Sequence, residues 1–327
     1  MSSTVRVFGG AGFAGAQLAA LIDAHPYFTL GAITARADAG TRLVDIYPQY
    51  RVTAELQQPD ASLASEGDFA AVCYPHAAAS ELVAELVDRG VRVVDVSADH
   101  RLRDPGLYPE WYGFTHARPD LLDEAVYGLP EAYRDRIRDA RLVANPGCYP
   151  TAAIIALRPL AGRLSDVVID AKSGVSGAGK TPTDAVHFSS VTENVTPYKV
   201  LSHRHEPEIA QEIGVDVTFT PHLVAADRGE LVSCYARLDD PPASQAELLD
   251  TYRAFYSGHP FVEVVERPPG MRGVQHTNYV QVCPLLDEKR GRLVAFGVID
   301  NIVKGASGQA LQNLNLMAGR PETEGLL

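Results

Sequence analysis

Over the first part of the chain, short apolar segments alternate with stretches whose apolar residues recur at helical spacing. Residues 4–8 and 28–34 are rich in β-branched and aromatic residues, and a helical pattern lies between them from Phe13 to Asp23. Pro26 ends that helix, because its ring disfavours helical backbone angles at the preceding residue, His25. A strand–helix–strand unit of this length predicts two parallel strands.

The alternation continues to about residue 144. Further strands are predicted over 69–74, 91–96 and 140–144, with a helix over 77–88. This order predicts an α/β fold with a Rossmann-like, doubly wound parallel sheet.

Beyond about residue 150 the pattern changes, because strand-like segments follow one another with turns between most of them. This favours a second α+β domain with a mainly antiparallel sheet. We expect a first domain over 1–147, a second over 148–301, and a C-terminal helical segment of about 302–327 that packs back onto the first. The predicted elements are strands over 166–173, 215–223, 230–238, 278–285 and 292–300, and helices over 151–161, 244–257 and 307–318.

Composition and charge narrow the classes of function. The net charge of −12 disfavours a nucleic-acid binder, which usually carries a basic face. No apolar run approaches the roughly 20 residues that span a bilayer, so no membrane partner is expected. The N-terminal segment lacks the basic start and long apolar stretch of a signal peptide, which predicts a cytoplasmic protein.

A glycine-rich turn between the first strand and the first helix carries the first candidate chemistry. Gly9, Gly12 and Gly15 have the spacing Gly-x-x-Gly-x-x-Gly, which is related to the glycine pattern of dinucleotide-binding turns. Glycines here allow a tight turn and close approach of the backbone to a pyrophosphate, which the helix N-terminus also attracts. The candidate cofactor residues of this turn are Gly9, Gly12, Phe13, Ala14 and Gly15.

The end of the second strand indicates which dinucleotide is bound. Sites for NAD usually place a carboxylate there, whereas this chain has Thr34-Ala35-Arg36, with Asp38 close by. A guanidinium can hold a 2′-phosphate through a forked contact. Thr34 and Arg36 therefore predict an NADP site.

Cys148 is the candidate nucleophile. The chain has four cysteines, far apart and without metal-ligand spacing, so free thiols and no metal site are predicted. Prolines and a glycine flank Cys148, which argues against a continuing strand and places the thiol shortly before a helix. A helix N-terminus favours a thiolate and offers N–H groups to an oxyanion.

The run from His203 to Glu208 offers a base for this cysteine. It contains two imidazoles, a guanidinium and two carboxylates. Pro207 is expected to start a helix, with His205 just before it. His205 is the first candidate for the acid–base group and His203 the second, and Glu208 could orient an imidazole by hydrogen bonding.

Seven motifs in chain order resemble the N-acetyl-γ-glutamyl-phosphate reductases, which are enzymes of arginine biosynthesis. Two departures stand out: His100 lies where the family often has Phe, and Cys73-Tyr-Pro-His76 replaces a more aliphatic segment. The matching motifs are Gly9–Gly15, Asp95–Asp104, Tyr127–Glu131, Asn145–Thr151, Ser173–Lys180, His203–Glu208 and Asp300–Ala306.

The resemblance implies an activity and further site residues. The activity is the NADPH-dependent reduction of N-acetyl-L-glutamyl 5-phosphate to the semialdehyde, with release of phosphate, through a thioester on Cys148. The enzyme would act on a small molecule as a homo-oligomer, a dimer or a tetramer. The substrate residues are then Arg101, Asn145, Ser173 and Gly174, and the further cofactor residues are Pro75, Ser97, Gly177 and Asn301. The glycine-rich loop of Ser173 to Lys180 could close over the nicotinamide or the phosphate with its N–H groups.

Three alternatives remain at this stage. A related reductase of lysine biosynthesis acts on an aminoadipate phosphate bound to a carrier protein, but changes around Cys148 would then be expected. Aspartate-semialdehyde dehydrogenase has the same architecture, but its motifs match poorly. A non-catalytic NADP-sensing regulator would keep the glycine turn and would not need a cysteine with a histidine pair.

Overall fold

The computed structural model describes residues 3–327. Met1 and Ser2, which begin both the predicted first domain and the segment considered for a signal peptide, lie outside the described residues. The chain forms two compact units, one comprising residues up to Pro146 together with Ala306–Leu327, and the other comprising Gly147–Gly305. Within residues 3–327, no helix combines the length and the apolar character needed to cross a membrane.

The first unit is built on a parallel sheet. Within the described residues it has seven strands in the order β3-β2-β1-β4-β5-β7-β6, and each neighbouring pair is parallel. This confirms the predicted doubly wound fold, although the short β3 and β6 escaped prediction. The strands are β1 (Ser3–Phe8), β2 (Phe28–Thr34), β3 (Leu56–Gln57), β4 (Phe69–Val72), β5 (Arg92–Asp95), β6 (Val126–Tyr127) and β7 (Leu142–Ala144).

The helices of this unit cover its sheet, and most are short. The C-terminal helix α11 is completely buried and packs against α1 and α6. Polar residues on α11 hold the end of the sheet, since Gln309 and Asn313 both donate to the carbonyl of Gly128. The helices are α1 (Phe13–Asp23), α2 (Leu43–Ile46), α3 (Ser80–Asp88), α4 (Tyr108–Trp111), α5 (Asp120–Glu124), α6 (Pro130–Asp139) and α11 (Gly308–Met317).

The second unit contains a mixed sheet. Its order is β12-β13-β14-β11-β8-β10-β9. Two neighbouring pairs, β8 with β10 and β12 with β13, are parallel, and the other four are antiparallel. The mainly antiparallel prediction is confirmed. The strands are β8 (Leu164–Gly174), β9 (Val195–Pro197), β10 (Val217–Val224), β11 (Glu230–Leu238), β12 (Val262–Val264), β13 (Val280–Asp287) and β14 (Arg292–Ile299).

The central helix of the second unit begins earlier than the sequence pattern predicts. It starts at Cys148 itself, whereas the helix was expected from residue 151. Pro150 is compatible with this start, because the N–H groups of a first helical turn have no partner inside the helix. The helices of this unit are α7 (Cys148–Leu157), α8 (Phe188–Val191), α9 (His205–Ile213) and α10 (Gln245–Phe255).

Candidate active site

The backbone around Cys148 is held in place by hydrogen bonds from both sides. Gly147 is extended and caps α7, so Cys148 is the first helical residue and its side chain is partly exposed. The hydroxyl of Thr151 donates to the carbonyl of Gly147 over 2.9 Å. The N–H of Gly147 donates to Oε1 of the completely buried Glu208 over 2.9 Å. The thiol therefore starts from a rigid position at the positive end of a helix.

The imidazole of His205 lies directly against Gly147. A Cβ atom added to this glycine would come within 2.5 Å of Nε2 of His205. Only glycine leaves room for the ring, which is thereby kept beside the residue that precedes Cys148. Sequence reasoning placed His205 just before the helix, but it is the first residue of α9 and Pro207 is the third. The reason is again that a first turn tolerates proline.

His203 has a different environment from His205. Its ring packs among the aromatic rings of Tyr149, Tyr198 and Phe219 at centroid distances of 5.8, 5.5 and 5.3 Å. Its Nδ1 accepts the N–H of His205 over 3.2 Å. Burial, with Arg204 and Lys199 nearby, lowers the pKa of His203 to about 3. His203 is therefore a neutral imidazole that supports the backbone of His205.

Two residues that sequence reasoning missed contact Cys148. A Cβ atom on Gly305 would lie 2.7 Å from Cβ of Cys148, so this glycine makes room for the cysteine side chain. Glu230, the first residue of β11, is completely buried, and its carboxyl interacts with the thiol of Cys148. Strand alternation could have indicated its burial, because Glu230 shares a face with Val232 and Cys234, which are both buried.

The predicted glycine loop is partly a strand. Ser173 and Gly174 are the last residues of β8, and a short 3₁₀ turn follows over Val175–Ala178. The strand extends this far because Ser173 pairs with Glu230 and the N–H of Gly174 donates to the carbonyl of Gly229. Ser173 agrees with the end of the strand predicted over 166–173, whereas Gly174, which the sequence places only in the loop, also belongs to the strand.

Asn301 is fixed within the same unit. Its Oδ1 accepts the N–H of Gly229 over 2.8 Å, and its Nδ2 donates to Oγ of Ser176 over 3.0 Å. A Cβ on Gly177 would lie 3.4 Å from the Nδ2 atom and 2.9 Å from Oγ of Ser173. Asn301, Gly177 and Ser173 are thus brought together, and Asn301 braces the turn after β8.

In the first unit, the glycine turn lies at the point where the strand order reverses. This point lies between β1 and β4, and a Cβ on Gly9 would lie 2.7 Å from the carbonyl oxygen of Cys73, just beyond β4. Ligands of open α/β sheets bind at such a point, beyond the carboxyl ends of the strands. Gly12 caps α1 without a side-chain hydrogen bond, so the helix start is formed by backbone alone.

The N–H groups of this turn divide into two sets. Those of Gly9 and Gly10 donate to the carbonyl of Thr34 over 3.1 and 2.9 Å, which fixes the turn to β2. The N–H groups of the first helical turn, from Phe13 to Gly15, have no intrahelical acceptor and suit an anion. The helix N-terminus therefore fits the pyrophosphate of a dinucleotide.

The residues beyond β2 also fit a dinucleotide, with Arg36 as the cationic group. Arg36 is exposed, and its guanidinium lies 5.0 Å from the centroid of the Tyr74 ring. Thr34 is completely buried, and its hydroxyl lies 3.3 Å from that of Tyr74, so its part is to hold the turn. An exposed guanidinium stacked on an aromatic ring suits a 2′-phosphate.

Pro75 and Ser97 follow β4 and β5 respectively. Pro75 is exposed. Ser97 is buried, its N–H donates to Oδ1 of Asp95 over 2.9 Å, and its hydroxyl accepts the N–H of Asp99 over 3.1 Å. Ser97 thus shapes the turn beyond β5.

Arg101 and Asn145 are joined in the first unit. Nε of Arg101 donates to the carbonyl of Asn145 over 2.8 Å, and Nη2 donates to the carbonyl of Val96 over 3.0 Å. The Asn145 side chain accepts from Nδ2 of Asn313 over 3.0 Å and donates to the carbonyl of Ala306. Both residues therefore fix the chain three residues before Cys148.

Comparison with known proteins identifies the family of this chain. Residues 4–140 match the family model "Semialdehyde dehydrogenase, NAD binding domain", and residues 148–301 match "Semialdehyde dehydrogenase, dimerisation domain". The N-acetyl-γ-glutamyl-phosphate reductase of Dehalococcoides mccartyi strain BAV1 is 46% identical over 96% of this chain and 94% of its own. The chain belongs to the N-acetyl-γ-glutamyl-phosphate reductase family.

A further relative agrees with this family assignment, and solved structures of distant proteins have the same fold. The family member from Pelotomaculum thermopropionicum is 43% identical over 100% of this chain and 98% of its own. Aspartate semialdehyde dehydrogenase II from Vibrio cholerae superposes with a TM-score of 0.73 over 98% of this chain and 99% of its own, at 17% identity. The Candida albicans aspartate semialdehyde dehydrogenase with NADP gives a TM-score of 0.71 over 97% and 99%, at 14% identity. At these identities the structural neighbours show the fold alone.

Proposed function

We propose that this protein reduces N-acetyl-L-glutamyl 5-phosphate to N-acetyl-L-glutamate 5-semialdehyde with NADPH and releases phosphate. The observation that carries the proposal is the position of Cys148 at the start of α7, with the His205 imidazole packed against the preceding glycine. The names of the relatives at 43–46% identity support the same reaction.

The first half of the reaction is acyl transfer to Cys148. His205 takes the thiol proton, Sγ bonds to the acyl carbon, and the bond between that carbon and the phosphate oxygen breaks. The proton passes from His205 to the departing phosphate. A positioned general acid–base group of this kind contributes roughly 10²–10⁴-fold to the rate. N–H groups at the start of α7 are available to the oxyanion that forms at the acyl oxygen.

The second half regenerates the thiolate. When bound, NADPH supplies the hydride that reduces the thioester carbon. The carbon–sulfur bond then breaks as the carbonyl reforms, so Cys148 leaves as a thiolate and the semialdehyde is released. Gly305 leaves space for the Cys148 side chain, and Gly147 leaves space for the His205 ring beside it.

His205 is the better candidate than His203 for the proton transfers. The low pKa of His203, about 3, means that it does not gain a proton near neutral pH. Its Nδ1 is also occupied by the N–H of His205. We assign Glu208 a supporting part, because its carboxylate holds the N–H of Gly147.

Most cofactor residues of this proposal lie in the first unit, and Gly177 and Asn301 lie in the second. The start of α1, with Gly9 and Gly12 in the turn before it, would hold the pyrophosphate, and Arg36 would hold the 2′-phosphate. Arg101 would anchor an anionic group of the substrate, and Asn145, Ser173 and Gly174 would lie near its acyl end. Pro75, Ser97, Gly177 and Asn301 would line or brace the cofactor site.

We also propose a homo-oligomer that works in the cytoplasm without nucleic-acid or membrane partners. The matched dimerisation domain supports assembly through the second unit. Large apolar side chains exposed in its segment 188–201, Phe188 at 79% and Leu201 at 68%, support the same assignment. Light scattering behind size-exclusion chromatography tests it, and a monomer at micromolar concentration would contradict it.

The central experiment measures the reverse reaction. N-acetylglutamate semialdehyde should reduce NADP only when phosphate is present, and Cys148→Ser should retain at most a few per cent of that rate. Cys283→Ala is the matched control, because Cys283 is a buried thiol of β13 that takes no part in the proposed site. If Cys148→Ser keeps substantial activity while remaining folded, the covalent mechanism is wrong. If the protein reduced NADP only with a carrier-bound aminoadipate derivative, the substrate would be that of the lysine-biosynthesis reductase.

A further inference from the structure

Glu230 is a buried acid in apolar surroundings. It begins β11 on the face that also carries Val232 and Cys234, and all three side chains are nearly inaccessible to solvent. Within residues 3–327, neither of its carboxyl oxygens has a conventional hydrogen-bond partner. The group that faces the carboxyl is the thiol of Cys148, a weak donor. An ionised carboxylate in this position would lack the partners that a buried charge needs.

The charges around Glu230 also favour its neutral form. Asp300 is completely buried, and its carboxylate accepts the N–H groups of His276, Ile302 and Val303 over 2.7, 2.8 and 2.8 Å, which stabilises its negative charge. A second negative charge near it is therefore disfavoured. A cation close to Asp300 is Arg228, whose Nη1 lies 3.8 Å from Oδ2 of Asp300.

Two phenols complete the ionisable surroundings. Tyr149 of α7 and Tyr198, just beyond β9, both interact electrostatically with Glu230, and burial raises the pKa of each, so both are neutral at working pH. Burial first, and then Asp300, raise the pKa of Glu230 to about 8, whereas Cys148 lowers it. At neutral pH the side chain is thus mainly a carboxylic acid, which can donate an O–H.

We propose that Glu230 is a positioning residue for the nucleophile, whose protonated carboxyl donates a hydrogen bond to Sγ of Cys148 and stabilises the thiolate. The donor would act twice, when the thiolate attacks the acyl carbon and when it leaves the reduced carbon. Glu230 keeps its proton throughout, so no additional proton acceptor is needed. The inference rests on the proposed function only in taking Cys148 as the nucleophile.

The pair should titrate together, which gives the proposal a distinctive test. Once Glu230 is ionised, it accepts a hydrogen bond from the thiol and repels a thiolate. The two groups therefore titrate as a coupled pair, and each proton loss belongs to the pair. The experiment is the rate of iodoacetamide alkylation of Cys148 against pH, followed by mass spectrometry of the Cys148 peptide. Wild type should show two steps, the second near pH 8.

Glu230→Gln removes the titrating acid and keeps its shape. We expect one step in place of two, and a three- to tenfold slower alkylation at pH 7, because an amide N–H stabilises the thiolate less than an acid O–H. Glu212→Gln is the control, since Glu212 is a buried carboxylate of α9 whose Oε1 accepts from Gln211. Identical pH profiles for wild type and Glu230→Gln would overturn the proposal.

A second measurement does not depend on whether a Glu230 variant folds, because it uses wild type and Cys148→Ala. Infrared spectra of wild type should contain a protonated-carboxyl band that disappears as the pH rises through about 8 and that shifts in Cys148→Ala. The proposal would be overturned if no such band were present, or if the band had the same frequency in wild type and in Cys148→Ala. Neither the alkylation profile nor the infrared band depends on substrate. Both can therefore contradict the role of Glu230 while Cys148→Ser still abolishes activity. Both can also support that role if the covalent mechanism is wrong.

Discussion

Two strand-to-helix junctions of this protein use the same electrostatics for different purposes. β1 leads through Gly9 and Gly12 into α1, and β7 leads through Gly147 into α7. Each helix begins with a glycine cap that has no side-chain hydrogen bond, so each presents bare N–H groups and a positive dipole end. The first junction begins its helix with Phe13, whereas the second begins with Cys148, the proposed nucleophile.

The difference lies in what fills the space beside the glycines. At the second junction the space beside Gly147 holds the chain's own His205 ring, and Glu208 accepts the Gly147 N–H. At the first junction, a Cβ on Gly12 would meet only a backbone oxygen, at 3.8 Å. In the proposed function, the first junction accepts an anion from outside, and the second holds the proposed nucleophile beside its proposed base.

The largest expected effect comes from removing the base at the second junction. His205→Asn should lower kcat by roughly 10²–10⁴-fold, because the proton transfers lose their positioned group. Steady-state reduction of NADP in the presence of phosphate measures it, with His187→Asn as the control, since His187 is exposed. If His205→Asn retained more than about a tenth of kcat, the second junction would not contain its own base.

The next prediction tests the space beside Gly147 that the His205 ring occupies. Gly147→Ala places a methyl group within 2.5 Å of Nε2 of His205 and must displace the ring. Since a 1 Å misplacement can cost about 10²-fold, we expect kcat to fall about 100-fold with KM for NADP unchanged. Gly270→Ala is the control, because nothing lies within 4 Å of a Cβ there and its φ of −116° is ordinary. Equal kinetics for both variants would show that the contact does not matter.

His203 gives a stability prediction with a defined sign. Its pKa falls from 6.5 in the unfolded chain to about 3 in the fold, so the folded state resists protonation. The stability that this represents is complete above pH 6.5 and is lost as the pH falls towards 3. Between pH 6.5 and about 5, wild type should lose about 2 kcal/mol more unfolding free energy than His203→Asn. Urea unfolding at both pH values measures it, and parallel losses would mean that His203 is not held neutral.

Much of this comparison follows from local sequence pattern. The glycine spacing after β1 and the prolines around Cys148 fix where the strands stop, because both residue types act on the backbone directly. The sequence predicts one helix from residue 151 and another that Pro207 starts, with His205 just before it. Both helices begin earlier, at Cys148 and His205, because Pro150 and Pro207 lie in first turns, which accept proline.

The contacts that Gly305 and Glu230 make with Cys148 cannot be predicted from local sequence pattern. Gly305 lies 157 positions after Cys148, and Glu230 lies 82 positions after it, so only the folded sheet of the second unit shows that they meet. The sequence predicts Gly174 only as a loop residue for the same reason, since Gly229, which accepts its N–H, is distant in the chain.

The smallest expected effect belongs to the first junction and concerns its outside ligand. Arg36→Ala should lower kcat/KM for NADPH about tenfold, which corresponds to about 1.4 kcal/mol, because an exposed charge-assisted contact lies at the weak end of its range. The value for NADH should stay within about twofold, since NADH has no 2′-phosphate. Arg42→Ala is the control, because Arg42 is exposed and paired with Asp45. Cys148 alkylation should be unchanged in Arg36→Ala, because the thiol belongs to the other junction. A parallel loss for both cofactors would mean that Arg36 supports the turn and does not select the phosphate.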